Sequence, residues 1–361
     1  MNNDRVPETK AGNRIVGRKK LIWSVVFAFI AVLSIFAVIS QSKSFSIERF
    51  ADFIKNASLP WLICAAASML AFIFFEGAAI CTISRAFGYN KKTIGNGSVY
   101  SASDIYFSAI TPSATGGQPA SAYFMIKDGI PAAVTTAILL INLLMYCASI
   151  IVIGLFILIT NFDLFLGFSA ISKILIIVGF VVQTGFGLFF TLLITKKEML
   201  RRICTGFLRF LAKLHIIKRL DKKTESLDRV MTEYGACLDM IRGHNLALVK
   251  AFVFNLLQRS LQIAVTLFTF LATGGALSEG FRVWSVQAYT VLASNCVPIP
   301  GAMGVTDYLM LDGFGSLGMA EGTATNLELL SRSLSFYICI LICGVITLLA
   351  YILKKKKNKG E

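Results

Sequence analysis

Thr111-Pro-Ser-Ala-Thr-Gly-Gly-Gln-Pro-Ala120 and Val297-Pro-Ile-Pro-Gly-Ala-Met-Gly-Val-Thr-Asp307 are the two stretches from which the fold is read. Aligned on Pro112 and Pro300, they share P-x-A-x-G: Pro112, Ala114 and Gly116 against Pro300, Ala302 and Gly304. Proline removes a backbone donor and glycine releases the backbone, so each stretch interrupts a helix. In lipid, irregular backbone is tolerated only where protein buries it or where it lines a cavity. Two such breaks, one in each half of a membrane chain, point to a substrate path.

Composition places both breaks in a membrane. Of 361 residues, 56% are hydrophobic and only 15% charged, against about a quarter charged in soluble domains. Mean hydropathy is +0.71. The net charge of +15 does not indicate nucleic acid, because the basic residues cluster beside apolar runs, as the positive-inside rule requires. The eight cysteines show no disulfide-framework spacing. Cys339 and Cys343 share one helix face, but no further ligand lies nearby, and they read as packing residues. His215 and His244 lie in a basic segment and read as solvated. No metal site and no cofactor is expected.

Six apolar spans are drawn: Leu21–Ile39, Pro60–Ile80, Pro131–Ile159, Lys173–Ile194, Leu246–Ala272 and Leu329–Leu353. Two weaker segments, Ser98–Met125 and Val283–Leu311, each hold one break. Loop charges set the sides. The tail 1–20, the loop with Arg85, Lys91 and Lys92, the segment Lys196–Arg242 and the Lys-rich tail 354–361 read as cytoplasmic. The sparsely basic loops Asn161–Ser169 and Thr273–Arg282 read as outside, as does Ser42–Ser58, which mixes Lys43, Arg49 and Lys55 with Glu48 and Asp52. These sides agree only if each weak segment crosses an even number of times. Each is therefore expected to be re-entrant, the first entering from the cytoplasm and the second from outside.

The expected fold is an all-α polytopic membrane protein with six full spans and two broken, re-entrant elements in an inverted repeat. One half covers 21–159 and the other 173–353. The chain is expected to be a multi-pass protein of the cytoplasmic (inner) membrane with both termini in the cytoplasm. Within Lys196–Arg242, Leu200, Ile203, Phe207, Phe210, Leu211, Leu214 and Ile217 form one apolar helical face, and Leu227, Val230, Met231, Tyr234, Leu238 and Ile241 a second. They read as amphipathic helices on the inner membrane surface, or as ordinary loop helices that fix topology.

The chemistry is expected at the breaks. Pro112 and Gly116-Gly117 end a helix, and Gln118-Pro119 restarts one. A helix that begins at membrane depth offers free N–H groups to an anion, with phosphate a good fit. Thr111, Ser113 and Thr115 add hydroxyls. Pro300, Gly301 and Gly304 make the second break, with Thr306 or Asp307 capping the next helix. The plainer reading of either break is a structural kink. A charge at the bilayer centre costs about 2.5–3.5 kcal/mol on insertion scales. Glu76, Asp104, Arg259 and Asp307 are therefore site candidates, with Arg259 pairing Glu76 or Asp104 or holding a lipid phosphate.

The Thr111–Pro119 run and the P-x-P-G-x-x-G run at Pro298–Gly304 resemble those of the lysylphosphatidylglycerol synthase transmembrane, or flippase-like, family. In two-domain members of that family, a membrane domain moves aminoacylated phosphatidylglycerol across the bilayer, and a soluble domain makes it. The resemblance implies a lipid-translocating fold over about Leu21 to Leu353, with Thr111–Gln118, Pro300, Gly301 and Gly304 along the path. No nucleophile elbow, P-loop or HExxH motif is present, and the chain has no room for a synthase domain. Translocation of phosphatidylglycerol or its lysyl derivative is expected rather than catalysis. Anionic or aminoacylated phospholipids are the expected partners, and a homo-oligomer and a separate lipid-synthesising enzyme are open partner readings. A secondary transporter of a small solute, a lysyltransferase-type enzyme and a scaffold subunit are the rival readings.

Overall fold

The computed structural model describes residues 47–111, 114–213, 227, 231–232, 243–295 and 297–357. Expectations placed on the tail 1–20, the span Leu21–Ile39, Pro112 and Ser113 lie outside these residues. So do those on most of 214–242 and on 358–361.

Among the described residues the regular structure is helical. After a short helix α1 (Ile47–Lys55), helix α2 runs over Leu59–Ala86, its Pro60 in the first turn where no N–H is missed. Helix α3 (Ile94–Ile110) opens on a capping box in which Thr93 and Asn96 satisfy each other's backbone. Then come α4 (Gly117–Lys127), α5 (Ala132–Thr160), α6 (Phe162–Gly167), α7 (Ala170–Thr195) and α8 (Lys197–Lys213). After the undescribed stretch follow α9 (Asn245–Ala272), α10 (Leu277–Ser294) and α11 (Val305–Ser316). The last run is α12 (Glu321–Arg332), a π turn (Ser333–Ile338) and α13 (Cys339–Lys357). Five runs are long and apolar enough to cross a membrane: α2, α5, α7, α9 and the composite Glu321–Lys354. At 1.5 Å per residue, a 28-residue helix such as α2 is about 42 Å long, more than the ~30 Å hydrocarbon core requires. Leu70, Phe74, Val152, Phe156, Ile174 and Val181 are exposed on these helices, an apolar surface suited to lipid.

The final span departs from expectation. It starts at Glu321 rather than Leu329, and the π turn interrupts it. Glu321 and Glu328 lower the local hydropathy, yet Glu328 is fully buried by protein, so the acid costs the span less than a lipid-facing charge would.

Both weak segments fold back on themselves. Asp128, just past α4, accepts hydrogen bonds from Asn96 at 3.1 Å and from Tyr100 at 2.6 Å, so the start of α3 meets the end of α4. In the second segment Gly313 of α11 lies against Val286 of α10, where an added Cβ would stand 2.5 Å from the valine. The open ends of the two hairpins sit at opposite ends of the bundle. The first packs with Ile83 at the end of α2, Leu193 at the end of α7 and Ala251 near the start of α9. The second packs with Ile157 at the end of α5, Leu164 of α6 and Ile176 near the start of α7. Met199 and Cys204 of amphipathic α8 join the first of these clusters, as do Leu227 and Met231.

Repeat symmetry is visible residue by residue. Helices α2 and α9 both have 28 residues, and their first residues are 186 positions apart. At the breaks the offset is 188. Ala114 and Ala302 have φ of 53° and 47°, the two non-glycine residues with positive φ among those described. Each N–H closes a tight turn, Ala114 onto Thr111 O at 3.2 Å and Ala302 onto Ile299 O at 2.9 Å. Helix resumes at Gly117 and at Val305, directly after Gly116 and Gly304. The alanine of P-x-A-x-G therefore takes the same left-handed turn in both breaks, whereas Gly116 has φ of -83° and Gly304 of 81°. The equivalent helices α2 and α9 lie antiparallel along their length. Ser58 N–H reaches Ala272 O at 2.7 Å, Trp61 stacks on Phe268 and Phe75 packs on Phe254.

Candidate functional site

The two breaks meet at one cavity of about 550 Å³. Ala114, Thr115 and Gln118 reach it from the first break, and Ile299, Gly301 and Thr306 from the second. Its side walls come from α2, α3, α5 and α9, which place Glu76, Asp104, Tyr146 and Arg259 on it. The polar lining continues with Asn142, which accepts a 3.0 Å bond from Asn255, and with Gln183 and Gln287. Buried amides and acids at membrane depth are costly unless the site uses them.

Close helix approach fixes these side chains. At the α2–α3 crossing, Gly77 and Gly97 touch backbone to backbone, and a Cβ on Gly97 would stand 2.4 Å from Gly77 O. Small residues of this kind let transmembrane helices approach closely. Glu76 and Ser101 thereby face each other, and Ser101 donates to the Glu76 carboxyl at 3.0 Å. At the first break, Gly117 rests on Asp104, where a Cβ would fall 1.9 Å from Oδ1. Asp104 accepts from Ser108 at 3.0 Å and from the Gln118 amide at 2.6 Å. Each acid is therefore met by neutral donors.

Arg259 is met differently. Among the described residues it makes no ion pair within 4.0 Å, with Glu76, Asp104 or any other acid. Its guanidinium lies 4.2 Å from the Tyr146 ring centre and 5.6 Å from that of Phe72. It donates to the side chain of Gln262, and its Nε has no partner. Cation–π contacts hold the charge in place while leaving donor capacity unused.

The helix starts hold less free donor capacity than their sequence suggests. Thr111 donates to Phe107 O and accepts from Gly116 N–H at 2.8 Å. Gly304 N–H is taken by Asp307 at 2.9 Å. Thr111, Gly116, Gly117 and Gly304 thus act on backbone geometry, and the cavity lining leaves them out. Asp307 is buried and bonded to Arg332. Pro300 opens the 3₁₀ turn that carries Gly301, and Pro112 and Ser113 lie outside the described residues.

Arg332, which lines the cavity, and Glu328 behind it were not singled out from sequence. A Glu and an Arg four residues apart at the head of an apolar span were the available signal. Tyr146 and the Asn142–Asn255 pair were missed as well, being unremarkable within long apolar helices.

Comparisons with curated proteins and with solved structures found no match. Residues 21–343 match the family described as lysylphosphatidylglycerol synthase TM region. With that match over nearly the whole chain, and five membrane-length helices among its described residues, this multi-pass membrane protein belongs to that family, whose role is tied to membrane lipid.

Proposed function

We propose that the protein moves a phospholipid, such as phosphatidylglycerol or its lysyl derivative, between the leaflets of the cytoplasmic membrane. The observation that carries this reading is Arg259, a cavity cation whose Nε has no partner and which has no acid within 4.0 Å among the described residues, set beside two acids hydrogen-bonded by neutral donors. A phosphate satisfies the free guanidinium edge with charge-assisted hydrogen bonds, and Gln262 and Tyr146 orient it. Glu76 and Asp104 then face the ammonium groups of an aminoacylated headgroup. A cavity of about 550 Å³ suits a headgroup, within the ~300–1,000 Å³ typical of ligand sites, and the acyl chains stay in the bilayer. The two hairpins enter from opposite faces as re-entrant elements, so the headgroup passes between their tips.

By the positive-inside rule, the end carrying Arg85, Lys91, Lys92, Lys127, Lys196 and Lys354 faces the cytoplasm, and both termini lie there. The reading needs no cofactor, nucleic acid or covalent chemistry. Aminoacylated lipid comes from a separate enzyme, and a second copy of the chain is a further partner.

Mass spectrometry of the purified protein tests the reading. Anionic phospholipid is expected to survive detergent purification with the wild type and to be lost from Arg259→Ala. A wild type that purifies without phospholipid and binds a small solute instead would make it a solute transporter.

A further inference from the structure

A second charged cluster sits at and behind the cavity wall, on side chains to which the lipid reading assigns no role. Asp307 of α11 and Arg332 at the end of α12 are ion-paired, with side chains 2% and 4% exposed. Asp307 also takes the Gly304 N–H at 2.9 Å, so this carboxylate has its donors. Glu328, one turn before Arg332, is 0% exposed. Arg332 Nε stands 3.9 Å from its Oε1, too far for a hydrogen bond. Neither Glu328 oxygen meets an N–H or O–H donor. The Asp307 and Glu328 carboxyls converge on one guanidinium, Arg332 being bonded to the first and 3.9 Å from the second.

Two buried carboxyls that share one guanidinium cannot both stay ionised at modest cost, because like charges this close repel and neither is hydrated. With Glu328, Asp307 and Arg332 all charged, the cluster would carry one uncompensated negative charge. A proton on Glu328 removes it, donates an O–H bond to Asp307 and leaves the Asp307–Arg332 pair neutral. Asp307 and Arg332 are the charged groups that act on Glu328. From α9, the neighbouring contact to this part of α12 is the uncharged Thr266–Ser331 pair at 2.6 Å.

We propose that Glu328 and Asp307 form an exchangeable proton site in which one proton bridges the two carboxyls. Arg332 lines the cavity and connects the site to it. When the Glu328 O–H bond breaks and the proton leaves through the cavity, Glu328 becomes a second anion competing for Arg332. Asp307 then loosens its hold on Gly304, the residue that caps the second hairpin's return helix. The change has a direct mechanical route, since Arg332 lies 5.2 Å over Phe336 of the π turn and Gly301 of the second break is pressed against that ring. π turns inside long helices are frequent at working sites. If the cavity carries lipid as proposed, this proton is the coupling ion, but the site itself does not depend on that reading.

Infrared titration of the full chain in phosphatidylglycerol nanodiscs, from about pH 5 to about pH 10, reads the proton directly. The expected result is a carboxylic-acid C=O band that disappears as pH rises. It should be absent from Glu328→Gln and retained in Glu76→Gln and in Glu321→Gln. Should Glu328→Gln fail to fold, Glu328→Asp serves, with the band expected to shift. A band unchanged by substitution at Glu328, or one that persists across the whole range, overturns the proposal. Lipid movement plays no part in this readout, so a failed flipping assay leaves the site standing, and a failed titration leaves the lipid reading standing.

Discussion

Arg259 and Arg332 both line one cavity, and their neighbours give them opposite characters. Arg332 is bound to Asp307 with Glu328 alongside, so it adds no net positive charge to the cavity. Arg259 rests on Tyr146, has no acid within 4.0 Å among the described residues, and leaves its Nε without a partner. Hydrogen bonds to a charged group contribute about 1.5–3 kcal/mol, so Arg259→Ala should slow lipid movement roughly 10- to 100-fold. Its melting temperature in detergent should change little, because the loss is of a ligand contact and not of an ion pair. Ala114 and Ala302 carry the strain of the breaks. A left-handed non-glycine residue costs about 1–2 kcal/mol, so Ala302→Gly should raise thermal stability and Ala302→Val should lower it. Equal effects from the two substitutions would remove the conformational reading of P-x-A-x-G. Sequence showed that these residue types stood at matched positions. It did not show that alanine takes the left-handed place in both, since φ has no signature in composition.

At the scale of elements, each hairpin is held at its open end by polar contacts. In the first, Asp128 accepts from Lys354 at 2.7 Å as well as from Tyr100 and Asn96. Burial alone would raise this carboxyl, but the bonds from Lys354 and Tyr100, the Lys354 charge and the Asn96 bond hold it below the ordinary carboxylate value. A lowered folded-state value means that the ionised form stabilises the fold. That contribution is present above the ordinary Asp value of about 3.9 and is lost as pH falls through and below it. Asp128→Asn should therefore lower thermal stability at neutral pH, and the gap from wild type should narrow in acid. A gap that stays constant down to the lowest pH would contradict this linkage. In the second hairpin, Asp312 accepts from Ser169 N–H at 3.0 Å and Arg282 pairs with Asp163 at 2.9 Å. The α2–α3 crossing has no room for a side chain. Gly97→Leu is overpacking, worth roughly 1–3 kcal/mol, and should displace Glu76 and reduce lipid movement together with stability. Spans and breaks were legible in the sequence because hydropathy and Pro/Gly punctuation are local signals. The π turn and the early start at Glu321 were not, because a buried acid lowers hydropathy just as a loop acid does.

Among the described residues, two hairpins and two long helices recur in the same order. Equivalent helices α2 and α9 lie face to face, and the hairpins between them and their last spans open at opposite ends of the bundle. Loop charges and the count of apolar spans led to the expectation that each weak segment returns to its own face, and the fold-back of both segments agrees with it. Partner choice was not legible. Nothing local told Arg259 to rest on Tyr146, or Asp307 to take Arg332, because those choices follow from how several elements converge on one cavity. Cysteines placed at Lys127 and at Leu317, in a chain without its native cysteines, should react with a membrane-impermeant reagent from opposite faces. Labelling of both from one face would mean that a hairpin crosses fully.

The central claim is that the paired breaks make one lipid path, and reconstitution tests it most directly. Fluorescent phosphatidylglycerol in vesicles containing the protein should cross between leaflets much faster than in protein-free vesicles, with Arg259→Ala falling most of the way back to the protein-free rate. Wild-type vesicles that flip anionic and aminoacylated lipids no faster than protein-free ones would contradict the account.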